Sequence, residues 1–317
     1  MCNFPSHGKV AVIGGANMDI TGMPLQSLVP ADSNPGKVEL SAGGVARNIC
    51  ENLTRLGVDT MMFTAVGNDI NGKSILTELE KLGADTSHVL VSEKMSTSVY
   101  LSINAEDGDM FCAVSDMEIV KLITPEYLSK YQSEISQCQA VIIDANLSEE
   151  TIKFIGDQFS HIAIFADPVS TAKAGRLSSI LNRIHTLKPN RKEATLLSGV
   201  VVENVESSLR AAEIICGKGV QNTAISLGDE GLLISGELGK GTLKPKKLKI
   251  ESANGAGDAL MAGLILSYLK NLNLEQTLKV GCSAAAIALK DSKTVSINMT
   301  YNNLFEEVLD YENIKLY

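Results

Sequence analysis

The chain has 317 residues, 44% hydrophobic and 21% charged, which is enough to bury a sizeable core. A net charge of −9 disfavours non-specific binding to a phosphate backbone, and 4% aromatics with no Trp leave little to stack nucleic-acid bases, so no nucleic-acid partner is expected. No apolar run reaches the ~18 residues of a membrane span, and no basic-then-apolar leader opens the sequence, so a soluble cytoplasmic protein with no membrane partner is expected.

Lys9–Ile13 is a short apolar run that ends in Gly14-Gly15, the pattern of a buried first strand. Residues 17–40 are rich in turn residues and Pro. Val45, Ile49, Leu53 and Leu56 then recur at helical spacing, and Gly57 follows as a stop. Met61–Val66 reads as a strand and Ser74–Leu82 as a helix ending at Gly83. Ser98–Val114 alternates around Asp107-Gly108 and reads as a hairpin.

From there strand follows helix. The spacing predicts strands over Ala140–Asp144, Ile162–Asp167, Ile184–Lys188, Asn222–Leu227 and Leu232–Ser235, and helices that include Glu149–Ser160, Val205–Lys218 and Leu274–Leu289. That alternation calls for a parallel sheet covered on both faces. The two stretches that break it, about 17–40 and 97–117, are expected to form a small antiparallel flap, or lid, on the main sheet. No repeat, low-complexity tract or linker divides the chain, so residues 1–317 are expected as one domain.

Six cysteines (Cys2, Cys50, Cys112, Cys138, Cys216 and Cys282) show no CxxC pair, and several lie in apolar runs, so buried free thiols are expected. The four histidines (His7, His88, His161 and His185) lack the spacing of a zinc site.

One strand-like run breaks into Asn254-Gly255-Ala256-Gly257-Asp258 and then into a helical pattern over Ala259–Lys270. Gly255 and Gly257 permit close backbone approach to a ligand, and the free N–H groups of the following helix make an anion site. A carboxylate beside a bound anion suits proton removal from an alcohol that attacks phosphorus. Two alternatives stand beside this reading. Asp258 can be an ordinary helix cap, and Gly255-x-Gly257 can open a dinucleotide fingerprint, although Leu260 occupies the position of its third small residue. Asn48 falls in the same helical sector as Val45, Ile49, Asn52 and Leu56, so its amide faces inward and needs partners, either a ligand or an internal group; for Asn52 an internal backbone partner is expected.

Five separated motifs line up: Gly14-Gly15-Ala16-Asn17-Met18-Asp19, Ala42-Gly43-Gly44-Val45-Ala46-Arg47-Asn48, Leu187-Lys188-Pro189-Asn190-Arg191-Lys192-Glu193, Ser226-Leu227-Gly228-Asp229-Glu230-Gly231 and Gly255-Ala256-Gly257-Asp258. In this order and at these distances the chain resembles the ribokinase-like (PfkB-type) carbohydrate and nucleoside kinases along essentially its whole length. The resemblance implies a three-layer α/β/α fold, with ATP and Mg²⁺ as cofactors and a small-molecule substrate. It implies that Asp258 is the base and that Gly255, Ala256 and Gly257 cradle the transferred phosphoryl group. It places Asn17, Asp19, Gly43, Gly44 and Asn48 on the sugar. Lys188, Asn190 and Glu193 fall near the phosphates, with Asn190 and Glu193 reaching Mg²⁺ through water; Ser226, Gly228 and Gly231 lie beside the ATP phosphates and ribose.

Within the family, Ala31–Lys37, Ala42–Leu53, Ser115-Asp116-Met117, Asp167-Pro168-Val169-Ser170 and Ile184–Asn190 are similar to the members that phosphorylate the 5′-hydroxyl of pseudouridine. Ser33, Asn34 and Asp116 are then candidates to contact base or ribose from the flap. Family members acting on ribose or another nucleoside are the nearest rival. A nicotinamide-dependent oxidoreductase would need an acidic residue about 20 positions past a complete glycine fingerprint, and neither glycine turn supplies both. A non-catalytic sugar-binding protein would not need Asp258. Ser252 and Ala253 stand where the family has Asp-Thr, which removes a carboxylate ligand for K⁺ and puts cation activation in doubt. A solvent-exposed flap edge would allow a homodimer.

Overall fold

The structure is a computed structural model that describes residues 8–107, 110–245, 247–308, 311 and 314–317. Cys2, His7 and the turn residue Gly108 lie outside the described residues. The strands are β1 (Lys9–Ile13), β2 (Asn17–Pro24), β3 (Gly36–Gly43), β4 (Asp59–Phe63), β5 (Ala65–Gly67), β6 (Leu90–Ser92), β7 (Val99–Asn104), β8 (Met110–Asp116), β9 (Ala140–Asp144), β10 (Ala163–Asp167), β11 (Ile184–Leu187), β12 (Asn222–Ser226), β13 (Leu232–Gly236), β14 (Gly239–Leu243) and β15 (Ile314–Leu316). The helices are α1 (Val45–Arg55), α2 (Ile70–Leu82), α3 (Pro125–Ser129), α4 (Gln132–Ile135), α5 (Glu149–Gln158), α6 (Thr171–Ala174), α7 (Arg191–Ser198), α8 (Val205–Gly217), α9 (Ala256–Leu269), α10 (Leu274–Leu289) and α11 (Tyr301–Val308).

Nine strands form the main sheet in the order β15-β14-β13-β12-β11-β10-β9-β1-β4. From β12 to β4 every neighbour is parallel; β13, β14 and β15 turn back antiparallel at one edge. The central strands are apolar on both faces because both faces are covered. Alternation along β1 shows how the layers divide: Val10 and Val12 enter one core with Ile49 and Leu53 of α1, Ile265 of α9 and Leu278 of α10, whereas Ala11 and Ile13 enter the other with Ile152 of α5, Leu197 of α7 and Ile215 of α8. The result is a three-layer α/β/α sandwich.

The flap is a second sheet in the order β3-β2-β7-β8. Its outer pairs are antiparallel, as the alternation over Ser98–Val114 predicts, and its central pair β2–β7 is parallel because the two hairpins are far apart in sequence and approach side by side. Alternation in β2 puts Asn17 and Asp19 on one face, and Met18 and Ile20 on the other. Met18 and Ala42 on this second face join the core, but further out Val38, Leu40, Leu101 and Val114 on the same face are exposed.

Two expectations need correction. Met61–Val66 is not one strand: residues up to Phe63 pair with β1, and Ala65–Gly67 pairs with β6 in a separate two-stranded sheet. The apolar run is continuous because both pieces are buried. The thiols are free but not uniformly buried: Cys50, Cys138 and Cys282 are buried, Cys216 is half-buried and Cys112 is exposed on β8. No helix among the described residues is long and apolar enough to cross a membrane.

Candidate active site

The helix over Ala259–Lys270 expected from the sequence begins three residues earlier, at Ala256, with Gly255 as its N-cap in the left-handed region at φ 76°. A Cβ on Gly255 would lie 1.8 Å from the Thr294 carbonyl oxygen, so only glycine fits. Asp258 sits in the first helical turn but does not cap it: its Oδ2 accepts a hydrogen bond from Asn48 Nδ2 at 2.8 Å. The cap alternative therefore lacks its defining bond. At Gly257 a Cβ would meet Lys188 Nζ alone, at 3.4 Å, so the helix start and this ammonium share one space.

Asn48 belongs to the first turn of α1, and the residues expected on the sugar gather around that helix start. Asn17 Nδ2 donates to Asp19 Oδ1 at 2.5 Å. A Cβ on Gly43 would approach Asp19 Oδ2 to 2.2 Å, so this glycine makes room for the carboxylate. Gly44, at φ 97°, lies against the backbone of Gly15 and Ala16. Burial pushes Asp19 above its ordinary range, opposed by the Asn17 hydrogen bond and the charge of Arg47. Buried Arg47 donates through Nη1 to both the Ala42 carbonyl and Asn48 Oδ1, each at 3.1 Å, and pairs through Nη2 with Glu51 and Glu78. It fixes the orientation of the Asn48 amide and so aims Nδ2 at Asp258. The inward amide of Asn48 is as expected from its helical sector, but its donor partner is a carboxylate. Asn52 takes the internal partner expected for it, donating to the Asn48 carbonyl at 2.9 Å.

Two further carboxylates end parallel strands. Asp144, the last residue of β9 and fully buried, accepts from the backbone N–H groups of Gly15, Ala46 and Asn146. One carboxylate thus caps α1 and ties it to the turn after β1. Asp167 ends β10; its Oδ2 pairs with Lys188 Nζ at 2.9 Å and its Oδ1 accepts from the N–H of Val169. Val169 is held at φ 64°, a strained conformation for a β-branched residue, and Ser170 N–H closes a three-residue turn onto the Pro168 carbonyl.

This crowd of buried charges resets Asp258. Burial, then the nearby Asp167, pushes its carboxyl up to about 7, with Asn48 and Lys188 opposing the rise. Asp258 is therefore not an ordinary, fully ionised aspartate, and the physical reason is desolvation among like charges. Burial alone would lower Lys188, but Asp167, Asp258 and Glu193 hold the ammonium above its ordinary value.

Asn190 and Glu193 form a reciprocal capping box at the start of α7, with Glu193 N–H donating to Asn190 Oδ1 and Asn190 N–H to Glu193 Oε2. Glu193 is buried, and burial pushes its carboxyl up. Asn190 bridges to Ser226, and Ser226 N–H donates to the Pro189 carbonyl. Gly228 at φ 65° and Gly231 at φ 91° shape the turn after β12, and Arg191 ties that turn to α7 through the Leu227 carbonyl and Glu230. Lys188, Asn190, Glu193, Ser226, Gly228 and Gly231 are therefore one connected structure. Ser33, Asn34 and Asp116 are not joined to it. Ser33 and Asp116 are exposed, and the Asn34 amide closes its own loop onto Val29 and Asp32.

Residues 7–300 match the model of the pfkB family carbohydrate kinases. The chain belongs to the pfkB family. It is 38% identical over 284 residues to the pseudouridine kinase of Escherichia coli strain K12, an alignment that covers 88% of this chain and 90% of the relative. Its fold is that of solved family structures. A carbohydrate kinase from Agrobacterium tumefaciens superposes with a TM-score of 0.86 at 26% identity, covering 98% of this chain and 100% of the other. The Arabidopsis thaliana ribokinase complexed with ribose and ATP superposes with a TM-score of 0.83 at 18% identity, covering 95% and 98%.

A kinase of this family needs its phosphate end matched to a polyanion. Among the described residues no three His, Cys, Asp or Glu side chains are arranged to hold a metal by themselves. Asp167, Asp258 and Glu193 nevertheless each act electrostatically on Lys188, and Asp167 acts on both of the other carboxylates. Carboxylate and amide oxygens are the donors a hard divalent cation takes, and one that keeps most of its waters does not need three carboxylates on the ion itself. Sequence reasoning missed Asp144 as a site residue and quoted Asp167 only within a motif. The available signal was their position: each is the final residue of a parallel strand, where ligand-facing groups collect in open α/β sheets.

Proposed function

We propose that the chain is an ATP-dependent kinase that transfers the γ-phosphoryl group to the 5′-hydroxyl of pseudouridine, with residues 1–317 acting as one kinase domain under a flap. The observation that carries this reading is the Asn48–Asp258 hydrogen bond, which sets one carboxylate between the helix start facing the sugar and the helix start suited to phosphate. The 38% identity to a pseudouridine kinase supports the choice of substrate.

In this reading Asn17, Asp19 and the Gly43-Gly44 turn hold the sugar hydroxyls, and Asn48 holds Asp258 Oδ2 so that Oδ1 faces the 5′-hydroxyl. As the hydroxyl oxygen bonds to the γ-phosphorus, its proton passes to Asp258, the bond from that phosphorus to the β–γ bridging oxygen breaks, and ADP leaves. The N–H groups of Ala256 and Gly257 and the Lys188 ammonium face the transferring group and stabilise its charge. Asn190 and Glu193 would hold Mg²⁺ through water, and the ion would supply charge neutralisation on the phosphates. The turn at Ser226, Gly228 and Gly231 sits against the rest of the nucleotide. The apolar outer face of the flap (Val38, Leu40, Leu101 and Val114) supports a homodimer through that face, which sedimentation of the wild type and of Leu40→Lys would test.

ADP release measured in parallel with pseudouridine, uridine, inosine, ribose and fructose 6-phosphate tests the substrate. Turnover is expected to be highest with pseudouridine. Equal or greater efficiency with ribose or another nucleoside would transfer the activity to that substrate.

A further inference from the structure

Arg47 takes no part in phosphoryl transfer itself, yet four segments of the chain meet at it. Its backbone N–H donates to the Gly15 carbonyl at 3.2 Å, in the turn after β1. Nη1 donates to the Ala42 carbonyl near the end of β3 and to Asn48 Oδ1 in α1. Nη2 faces Glu51 Oε2 at 2.5 Å and Glu78 Oε2, on α2, at 3.1 Å. The residue is 3% exposed, and its Nε has no hydrogen-bond partner among the described residues. As a stabilising device this is poor, because a buried ion network with an unsatisfied donor is seldom better than an apolar cluster of the same volume. As a device for fixing geometry it is strong: a planar fork satisfies Ala42 and Asn48 together only when the two are correctly spaced.

The two acceptors of Nη1 belong to the two halves of the proposed reaction. Ala42 leads into Gly43, whose space is ceded to the Asp19 carboxylate, and the charge of Arg47 acts on that carboxylate as well. Asn48 holds Asp258. Glu78 secures the fork from outside α1. The helix that carries it is fixed at its other end by its N-cap, Asp69, which accepts from the N–H and the hydroxyl of Thr97, each at 2.7 Å. Thr97 stands just before β7, so α2 is pinned at the root of one flap hairpin and, through Glu78 and Arg47, at the root of the other. A shift at the root of β3 therefore pulls on the same nitrogen that orients Asn48.

We propose that Arg47, held by Glu78, is a positioning residue that sets the register between the turn cradling Asp19 and the Asn48 amide that aims Asp258, so that one guanidinium aligns the carboxylate that grips the sugar with the carboxylate that takes its proton. The inference rests on the kinase reading above. Arg47 then acts on the chemical step through Asn48, and its hold on Ala42 acts on sugar binding. Lysine is no equivalent, since a single ammonium cannot serve Ala42, Asn48, Glu51 and Glu78 at once.

The test is a double-variant cycle on kcat at neutral pH, with saturating ATP and pseudouridine, or whichever sugar or nucleoside of the panel is turned over fastest. Arg47→Lys should lower kcat at least about tenfold, the loss of one hydrogen bond from a charged donor, and leave KM for ATP unchanged. In the Asn48→Ala background the same substitution should change kcat by less than about twofold, because the residue it acts through is already gone. A merely structural role predicts losses that multiply, and that result, or a retained kcat in Arg47→Lys, overturns the inference. Should Arg47→Lys not fold, Glu78→Ala carries the test, since Glu78 is half-exposed and its removal leaves Glu51 on the guanidinium. Its kcat should fall in the wild-type background and not in the Asn48→Ala background; equal losses in both, or none in either, overturn the inference. If Asn48→Ala itself keeps wild-type kcat, the role of Asn48 in the proposed reaction fails and takes that of Arg47 with it. If Asn48→Ala loses kcat and the Arg47 loss multiplies with it, the reaction stands and only the positioning role of Arg47 fails.

Discussion

Asn48 Nδ2 and Asp258 Oδ2, 210 residues apart in sequence, meet at 2.8 Å between the first turns of α1 and α9. Because the donor is itself held by Arg47, the contact is a fixed chain from a buried guanidinium to the proposed base. It favours the ionised form of a carboxylate that burial otherwise pushes up to about 7.

The first prediction concerns pH. A base must be deprotonated to act, so kcat/KM should rise through about pH 7 and level off above it. Asn48→Ala removes a hydrogen bond to the charged form and should move that limb upward by about one to two pH units. Asp167→Asn removes a like charge and should move it downward. A pH–rate profile for the three proteins checks the signs; limbs that move together would show that another group controls the profile.

Gly43→Ala tests the sugar side. The new methyl would fall 2.2 Å from Asp19 Oδ2 and must displace the carboxylate, since Gly43 needs no left-handed backbone. KM for the sugar or nucleoside should rise at least about tenfold, the loss of one hydrogen bond to a charged group. KM for ATP should not change, because the proposed arrangement puts the nucleotide on the other side of Asp258.

Lys188→Met tests the ion pair at the phosphate end. The substitution strands Asp167 as a buried carboxylate without its partner. Breaking a buried pair in this way costs about 3–5 kcal/mol. Thermal unfolding should show a clear drop in Tm, and KM for ATP should rise with loss of the ammonium beside Gly257. The double variant Lys188→Met with Asp167→Leu should recover stability but not ATP binding.

Much of this arrangement was legible in the sequence. The strand–helix alternation gave the parallel sheet, and helical spacing turned Asn48 inward. The partner of Asn48 was not legible, because periodicity within one helix says nothing about a helix 210 residues away. Nor could local patterning show that Asp258 would be crowded by Asp167 and Asp144, since each ends a different strand. The strain at Val169 is imposed by Asp167 and Ser170 contacts that oppose the residue's own preference. Nor does the polar pair Ser33-Asn34 reveal in sequence that the Asn34 amide is bonded to Val29 and Asp32 within its own loop.

Potassium dependence should be weak. Ser252 stands where a carboxylate would hold the cation, and its hydroxyl accepts from the Asn254 N–H at 3.2 Å, within its own turn. A neutral oxygen holds a hard cation less well than a carboxylate does. Activity in an organic-cation buffer should stay within a few fold of that with K⁺. Complete loss there would mean that other ligands rebuild the cation site.

Asp258→Asn bears on both chemistry and stability. The amide is close in shape and keeps a partner for Asn48 through its oxygen, but it cannot accept a proton at neutral pH, so kcat should fall by about 10²–10⁴. ATP binding should be retained or slightly tightened, because a negative charge leaves the phosphate end. For stability the sign runs the other way. The carboxyl has an ordinary value of 3.8 and is raised to about 7 in the folded protein, so between these values the folded state holds the proton more tightly than the unfolded chain does. Its contribution is therefore fully present below the lower value and is lost as the pH rises through the upper one. Asparagine has no such loss, so the Tm of the variant relative to wild type should be higher at about pH 8 than at about pH 5. A variant with reduced kcat and this pH-dependent gain in Tm identifies a buried, proton-accepting aspartate. Near wild-type kcat would remove Asp258 from the chemistry, and a Tm difference independent of pH would mean that its carboxyl titrates as an ordinary surface acid.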